Sequence, residues 1–225
     1  MDRNAPDKAQ RLREALARLV QDEAGETAFW TGRDHFQPTV IDAIAHVPRH
    51  AFIPGRVPLA TAYANRPLPI GLGQTISQPY IVALMTDLLN LHGSERVLEV
   101  GTGSGYQAAV LAEIADDVYS IERHQDLATH AREVLTKQGY TNVHIRCTDG
   151  TQGWVEQAPF DAILVAAAAS GPIPQALIEQ LAPNGRMIIP LGPRSGPQML
   201  SLGLKNDAGV FTSQPVLPVT FVPLV

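Results

Sequence analysis

Between residues 96 and 190 short uninterrupted apolar runs alternate with stretches in which apolar positions recur at helical spacing. That alternation predicts parallel βαβ units, because a strand buried on both faces reads as a continuous apolar run and a covering helix as a periodic one. Strands are expected at about 97–100, 118–122, 143–147, 161–166 and 186–190, with helices at about 105–115, 125–138 and 173–181. After Pro190 the pattern changes to Met199-Leu-Ser-Leu-Gly-Leu204, a turn at Lys205-Asn-Asp-Ala-Gly209, and a second run from Val210 to Val222. This reads as an antiparallel hairpin that finishes the sheet. The fold class is therefore α/β, a doubly wound and mostly parallel sheet with helices on both faces.

Upstream of residue 96 the signals are weaker. Leu12, Leu16, Leu19 and Val20 share one helical face over residues 8–24, residues 25–37 read as loop, and Val40, Ile41 and Ile44 mark a short helix that ends before Pro48. Residues 51–79 are dense in proline and glycine without periodicity and read as an irregular surface segment. A helix follows, carrying Ile81, Leu84, Met85, Leu88 and Leu89 inward, with Ser77 placed to cap it and Pro79 in its first turn. The expected organisation is an N-terminal helical and irregular extension at residues 1–37 and one main domain at 38–225.

The run Glu99-Val-Gly-Thr-Gly-Ser-Gly105 lies where the first parallel strand turns into its helix. Glycines there allow positive φ and let a ligand approach the backbone. The dinucleotide fingerprint would need a small residue at position 106, which is Tyr106. Glu99 would repel phosphates and attract a cationic ligand such as the amino group of S-adenosylmethionine. Glu122 follows Gly101 by 21 residues, near the spacing of ~20 at which an acid receives ribose hydroxyls, and Asp149-Gly150 follows the third strand, where it could receive an adenine amino group. A nicotinamide enzyme and a non-catalytic nucleoside-binding module remain alternatives at this point.

Composition narrows the classes. The 225 residues carry a net charge of −5 with no run of Lys or Arg, so a nucleic-acid partner is not expected. The uncharged stretch at residues 162–178 contains Gly171, Pro172 and Pro174 and is too short to span a membrane, and residues 1–8 lack the apolar core of a signal peptide. The single cysteine, Cys147, fits a reducing, cytoplasmic location and reads as a core residue. The seven histidines are scattered, with Pro48 between His46 and His50, so no metal site is expected. No exposed apolar stripe calls for a partner, and a monomer is expected.

Several blocks resemble the protein-L-isoaspartate (D-aspartate) O-methyltransferases: Val47-Pro-Arg-His-Ala-Phe52, Ala62-Tyr-Ala-Asn-Arg-Pro-Leu-Pro-Ile-Gly71, Gly73-Gln-Thr-Ile-Ser-Gln-Pro-Tyr80, Val97-Leu-Glu-Val-Gly-Thr-Gly-Ser-Gly-Tyr106, Pro159-Phe-Asp-Ala-Ile163 and Phe221-Val-Pro-Leu224. The resemblance covers roughly residues 38–224 and implies a class I methyltransferase fold. It also implies methyl transfer from S-adenosyl-L-methionine to the free α-carboxylate of L-isoaspartyl residues in damaged proteins and peptides, whose ester collapses to a succinimide and partly returns to aspartate. Carried over by position, it implies Ser77 as the active-site residue, which also touches substrate. Thr75, Ile76, Glu99, Gly101, Gly103, Glu122, Asp149 and Gly150 are implied for the cofactor, and Val219, Thr220 and Phe221 for the substrate groove. Thr148 and Ala168-Ala-Ser-Gly171 depart from the family pattern.

Overall fold

A computed structural model describes residues 8–224. The charged segment at residues 1–7 lies outside them, as does Val225. Helix α1, Lys8–Thr31, leads into α2, Pro38–His46, then a 3₁₀ turn at Arg49–Phe52 and the short helix α3, Leu59–Ala62. Strands β1, Leu68–Gly71, and β2, Gln74–Ile76, pair as an antiparallel hairpin ahead of α4, Pro79–Leu89. The alternating part then runs β3, Arg96–Val100; α5, Tyr106–Ala112; β4, Asp117–Glu122; α6, Gln125–Gln138; β5, Val143–Cys147; β6, Phe160–Val165; α7, Gln175–Gln180; and β7, Leu181–Leu191. Strands β8, Gln198–Lys205, and β9, Phe211–Val219, close the chain.

Among the described residues, seven strands form one sheet in the order β5-β4-β3-β6-β7-β8-β9. The β3, β4, β5, β6 and β7 pairings are parallel, and β7, β8 and β9 are antiparallel. The chain order reverses between β3 and β6, and a crevice opens beyond the carboxyl ends of strands at such a reversal. Alternate residues of β3 serve the two faces. Val97 packs with the helices α1, α2, α4 and α5, while Leu98 and Val100 pack with Phe160, Ile163 and Leu177 on the other side.

The upstream expectations needed correction. α1 does not stop at 24 but continues to Thr31, because Ala24 is buried in the core and the Thr27 hydroxyl is 2.5 Å from that of Tyr80. The proline-rich segment is not irregular throughout: the end of a 3₁₀ turn, α3 and the β1–β2 hairpin occupy it, with Ile70 and Ile76 buried. Ser77 is not the cap of α4; Gln78 holds that position without a side-chain cap bond. Cys147 is half-buried rather than core, its Sγ 3.7 Å from the Arg123 carbonyl oxygen. β7 begins five residues before the expected strand, since Leu181 already pairs with Phe160.

Candidate functional site

At the C-terminal edge of β3, Gly101, Gly103 and Gly105 take φ values of +102°, +53° and +86°, conformations that side chains rarely adopt. The turn they make opens onto a cavity. One wall is this turn together with Ile121, Glu122, Arg123, His124 and Gly150. The opposite wall is Gln74, Thr75, Ile76 and Ser77 from the hairpin, with Val222, Pro223 and Leu224 from the chain end. The hairpin reaches the turn directly: a Cβ on Gly103 would lie 3.5 Å from Ile70 Cδ1.

Glu122, only 5 % exposed, is the carboxylate in this wall. Its Oε2 accepts the Gly103 N–H at 2.8 Å and its Oε1 accepts the His124 N–H at 2.9 Å, which locks the turn to the end of β4. A carboxylate offers about four lone-pair sites, so two acceptor positions remain for the hydroxyls of a ribose. Beside it the wall is apolar, from Val100 and Ile121, and Gly150 sits where a Cβ would approach Val100 Cγ1 to 2.4 Å. A carboxylate and an apolar slot beside a glycine turn suit a nucleoside.

The other expected acids are placed differently. Glu99 does not line the cavity. It is fully buried behind the turn, bonded to the Ser120 hydroxyl, which is itself 2.5 Å from the hydroxyl of Thr102. Burial pushes its carboxyl up to about 8; the charge of Glu122 adds to that rise and the Ser120 bond opposes it. Glu99 therefore shapes the turn from behind as a largely neutral acid at pH 7, rather than meeting a ligand cation. Asp149 is exposed and accepts the N–H and hydroxyl of Thr151, both at 2.8 Å; its neighbour Gly150 is the one on the wall.

A second cavity adjoins the first and shares Thr75, Ser77, Ala166 and Val222 with it. Val219, Thr220 and Phe221 line it, joined by Pro67, Gln78, Ile81, Pro197, Gln198 and Pro218. None of its lining side chains is charged, so it is suited to a neutral peptide main chain. Ser77 is thus on the wall common to both spaces, half-buried, with its hydroxyl not spent on capping α4.

Two residues that the sequence did not bring forward hold this junction. Arg49 is fully buried, faces no carboxylate, and donates to the carbonyl oxygens of Ala62, Arg66 and Ser77, the last two at 2.9 and 3.1 Å. Its signal lay in the Val-Pro-Arg-His block, but nothing local says that an arginine there turns inward. Gln198 pairs its side-chain amide with the backbone of Phe221, accepting the N–H at 2.6 Å and donating to the carbonyl at 3.1 Å. With the Ala168 N–H to Val222 and the Leu224 N–H to Ala168 bonds, at 2.7 and 2.8 Å, it ties the chain end to the start of β8 and to the segment after β6.

Residues 30–225 match the model of a family described as Protein-L-isoaspartate(D-aspartate) O-methyltransferase. A protein-L-isoaspartate O-methyltransferase 2 of Syntrophobacter fumaroxidans is 51 % identical over 98 % of this chain and 88 % of its own length. One of a Polaromonas species is 54 % identical over 95 % of this chain and 98 % of its own. Among solved structures, a protein-L-isoaspartate O-methyltransferase superimposes with a TM-score of 0.83 at 27 % identity, covering 94 % of this chain and 65 % of that one. A Plasmodium falciparum structure described by the same activity, in complex with S-adenosyl-L-homocysteine, gives 0.77 at 25 % identity over 95 % of this chain and 98 % of that one.

Proposed function

Because this chain belongs to the protein-L-isoaspartate (D-aspartate) O-methyltransferase family, we propose that it methylates the α-carboxylate of L-isoaspartyl residues with Ser77 as the residue that orients that carboxylate. S-adenosyl-L-methionine is the methyl donor, supplying a methyl group on a good leaving group. The observation that carries the assignment of Ser77 is its presence on the wall shared by the two cavities.

The residues fit such a cofactor. Glu122 suits the ribose, Val100, Ile121 and Gly150 the base, and the Gly101–Gly105 turn with Thr75 and Ile76 the amino-acid end. Asp149 acts through the position of Gly150, and Glu99 through Ser120 and Thr102. In the second cavity, Val219, Thr220 and Phe221 hold the peptide.

An isoaspartyl carboxylate is already ionised at neutral pH, so no general base is needed, and none of the lining groups has to take a proton. What the chain must do is align and dry. Holding the nucleophile in line can contribute roughly 7–11 kcal/mol. The Ser77 hydroxyl donates to one carboxylate oxygen and leaves the other aimed at the first cavity. The uncharged wall of the second cavity keeps the substrate carboxylate from competing ion pairs there.

The test is Ser77→Ala, with radiolabelled methyl transfer to an isoaspartyl peptide and to its aspartyl twin. A base-labile ester is expected on the isoaspartyl peptide alone. The variant is expected to lose roughly ten- to a hundredfold in kcat/KM. Since the hydroxyl does not cap α4, stability is expected to change by less than about 0.5 kcal/mol. Unchanged turnover would remove Ser77 from the assignment.

The reading extends to a cytoplasmic monomer. A single cysteine precludes an internal disulfide, and among the described residues no helix is long and apolar enough to cross a membrane.

A further inference from the structure

Helix α1 reaches the substrate side of Ser77. Glu23, half-buried on α1, accepts hydrogen bonds from two side-chain amides of other segments: Asn65 Nδ2 at one oxygen and Gln78 Nε2, at 3.3 Å, at the other. Asn65 passes the link on, its Oδ1 accepting the Tyr80 N–H of the first α4 turn at 3.0 Å. Gln78 follows Ser77 directly and lines the second cavity, but not the first. Ser77 is therefore clamped on both sides, by Arg49 at its own carbonyl and by the Glu23 links just beyond it.

We infer that Glu23 is a positioning residue of the substrate cavity, holding Gln78 directly and the start of α4 through Asn65, so that the Ser77 wall is set by a helix outside the reaction site. The inference rests on the orienting role of Ser77. It also assigns work to a part of the chain that precedes residue 30, where the family match begins. The carboxylate is suited to this because it is acceptor-only and both partners present NH₂ groups. A glutamine in its place would have one oxygen for two donors and turn its own NH₂ toward the other. A purely structural residue on α1 would be dispensable to the peptide and felt only in melting.

The experiment compares Glu23→Ala, Glu23→Gln, Ser77→Ala and the Glu23→Ala/Ser77→Ala double variant in the full chain. It measures kcat/KM for an isoaspartyl peptide, S-adenosylhomocysteine affinity by calorimetry, and melting temperature. Misplaced reacting groups are costly, so Glu23→Ala is expected to lower kcat/KM about tenfold, with Glu23→Gln between it and the wild type. S-adenosylhomocysteine affinity is expected to hold within about twofold, since Gln78 faces only the other cavity. In the Ser77→Ala background the further loss is expected to shrink below about threefold, the mark of two residues acting through one wall.

Glu23→Ala at wild-type kcat/KM overturns the inference. So does a loss of S-adenosylhomocysteine affinity as large as the loss in kcat/KM, which would mean general loosening. If the alanine variant does not fold, Glu23→Gln decides: wild-type turnover sinks the idea, and a selective loss with the peptide sustains it. Wild-type turnover in Ser77→Ala would instead defeat the role of Ser77 itself.

Discussion

Nη2 of Arg49 lies 3.1 Å from the carbonyl oxygen of Ser77, inside a guanidinium that solvent does not reach. An arginine buried without a carboxylate is costly in itself, and burial lowers its pKa to about 10, so it stays charged at neutral pH. What offsets the cost is three carbonyl oxygens, two from the turn at residues 62–66 and one from Ser77, together with the face of Tyr106, 5.9 Å from the guanidinium carbon. The arginine converts loops into a fixed frame for the serine.

Arg49→Ala is expected to destabilise the protein by about 2–4 kcal/mol, since it strands buried carbonyls and leaves a void. Arg49→Lys keeps the charge but cannot span all three acceptors, so it is expected to fall between. Urea denaturation measures both. Assayed at a temperature where the variants remain folded, turnover of isoaspartyl peptide is expected to drop in both, and equal turnover would show that the frame does not bear on the serine.

Glu122 anchors the glycine turn through two backbone N–H groups. Glu122→Ala removes that anchor along with two acceptor sites, so S-adenosylhomocysteine affinity is expected to fall about ten- to a hundredfold. Glu122→Gln retains one oxygen and is expected to lose less. Calorimetric titration is the measure, and affinity of the alanine variant within about threefold of the wild type would take Glu122 out of the cofactor wall.

The buried carboxyl of Glu99 makes stability depend on pH in an unusual direction. With its pKa raised from 4.5 to about 8, the native state keeps a proton that the unfolded chain has released. The unfolded state then binds fewer protons, and the contribution of this group to stability falls as pH rises from about 4.5 to about 8, by up to about 1 kcal/mol per pH unit. Below that window both states are protonated and the penalty is absent. Glu99→Gln keeps the shape and cannot ionise, so it is expected to gain on the wild type steadily between pH 5 and 8. Chemical denaturation at a series of pH values tests this; parallel curves would mean that Glu99 ionises normally in the folded protein.

The helix α1 shows how far local patterning reaches. Its apolar face at Leu16 and Val20 is legible, yet the pattern fades by residue 24 while the helix goes on to Thr31. The last turns are kept by contacts with Tyr80, Asn65 and Gln78, which lie more than forty residues on. The hairpin at Leu68–Gly71 and Gln74–Ile76 was hidden for a related reason, since proline and glycine dominate its sequence and burial of Ile70 and Ile76 stabilises it.

From the amino-acid order alone came the parallel alternation, the ligand-accepting turn, the acid 21 residues beyond it and the family blocks. Each is written locally, as a periodicity, a positive φ requirement or a short motif. The tertiary structure alone decided that Glu99 lies behind the turn while Glu122 faces the cavity, that Arg49 turns inward, and that Ser77 stands between two spaces. Those outcomes depend on which distant backbone groups converge around a side chain and how much water they exclude, and neighbours in sequence carry no record of either.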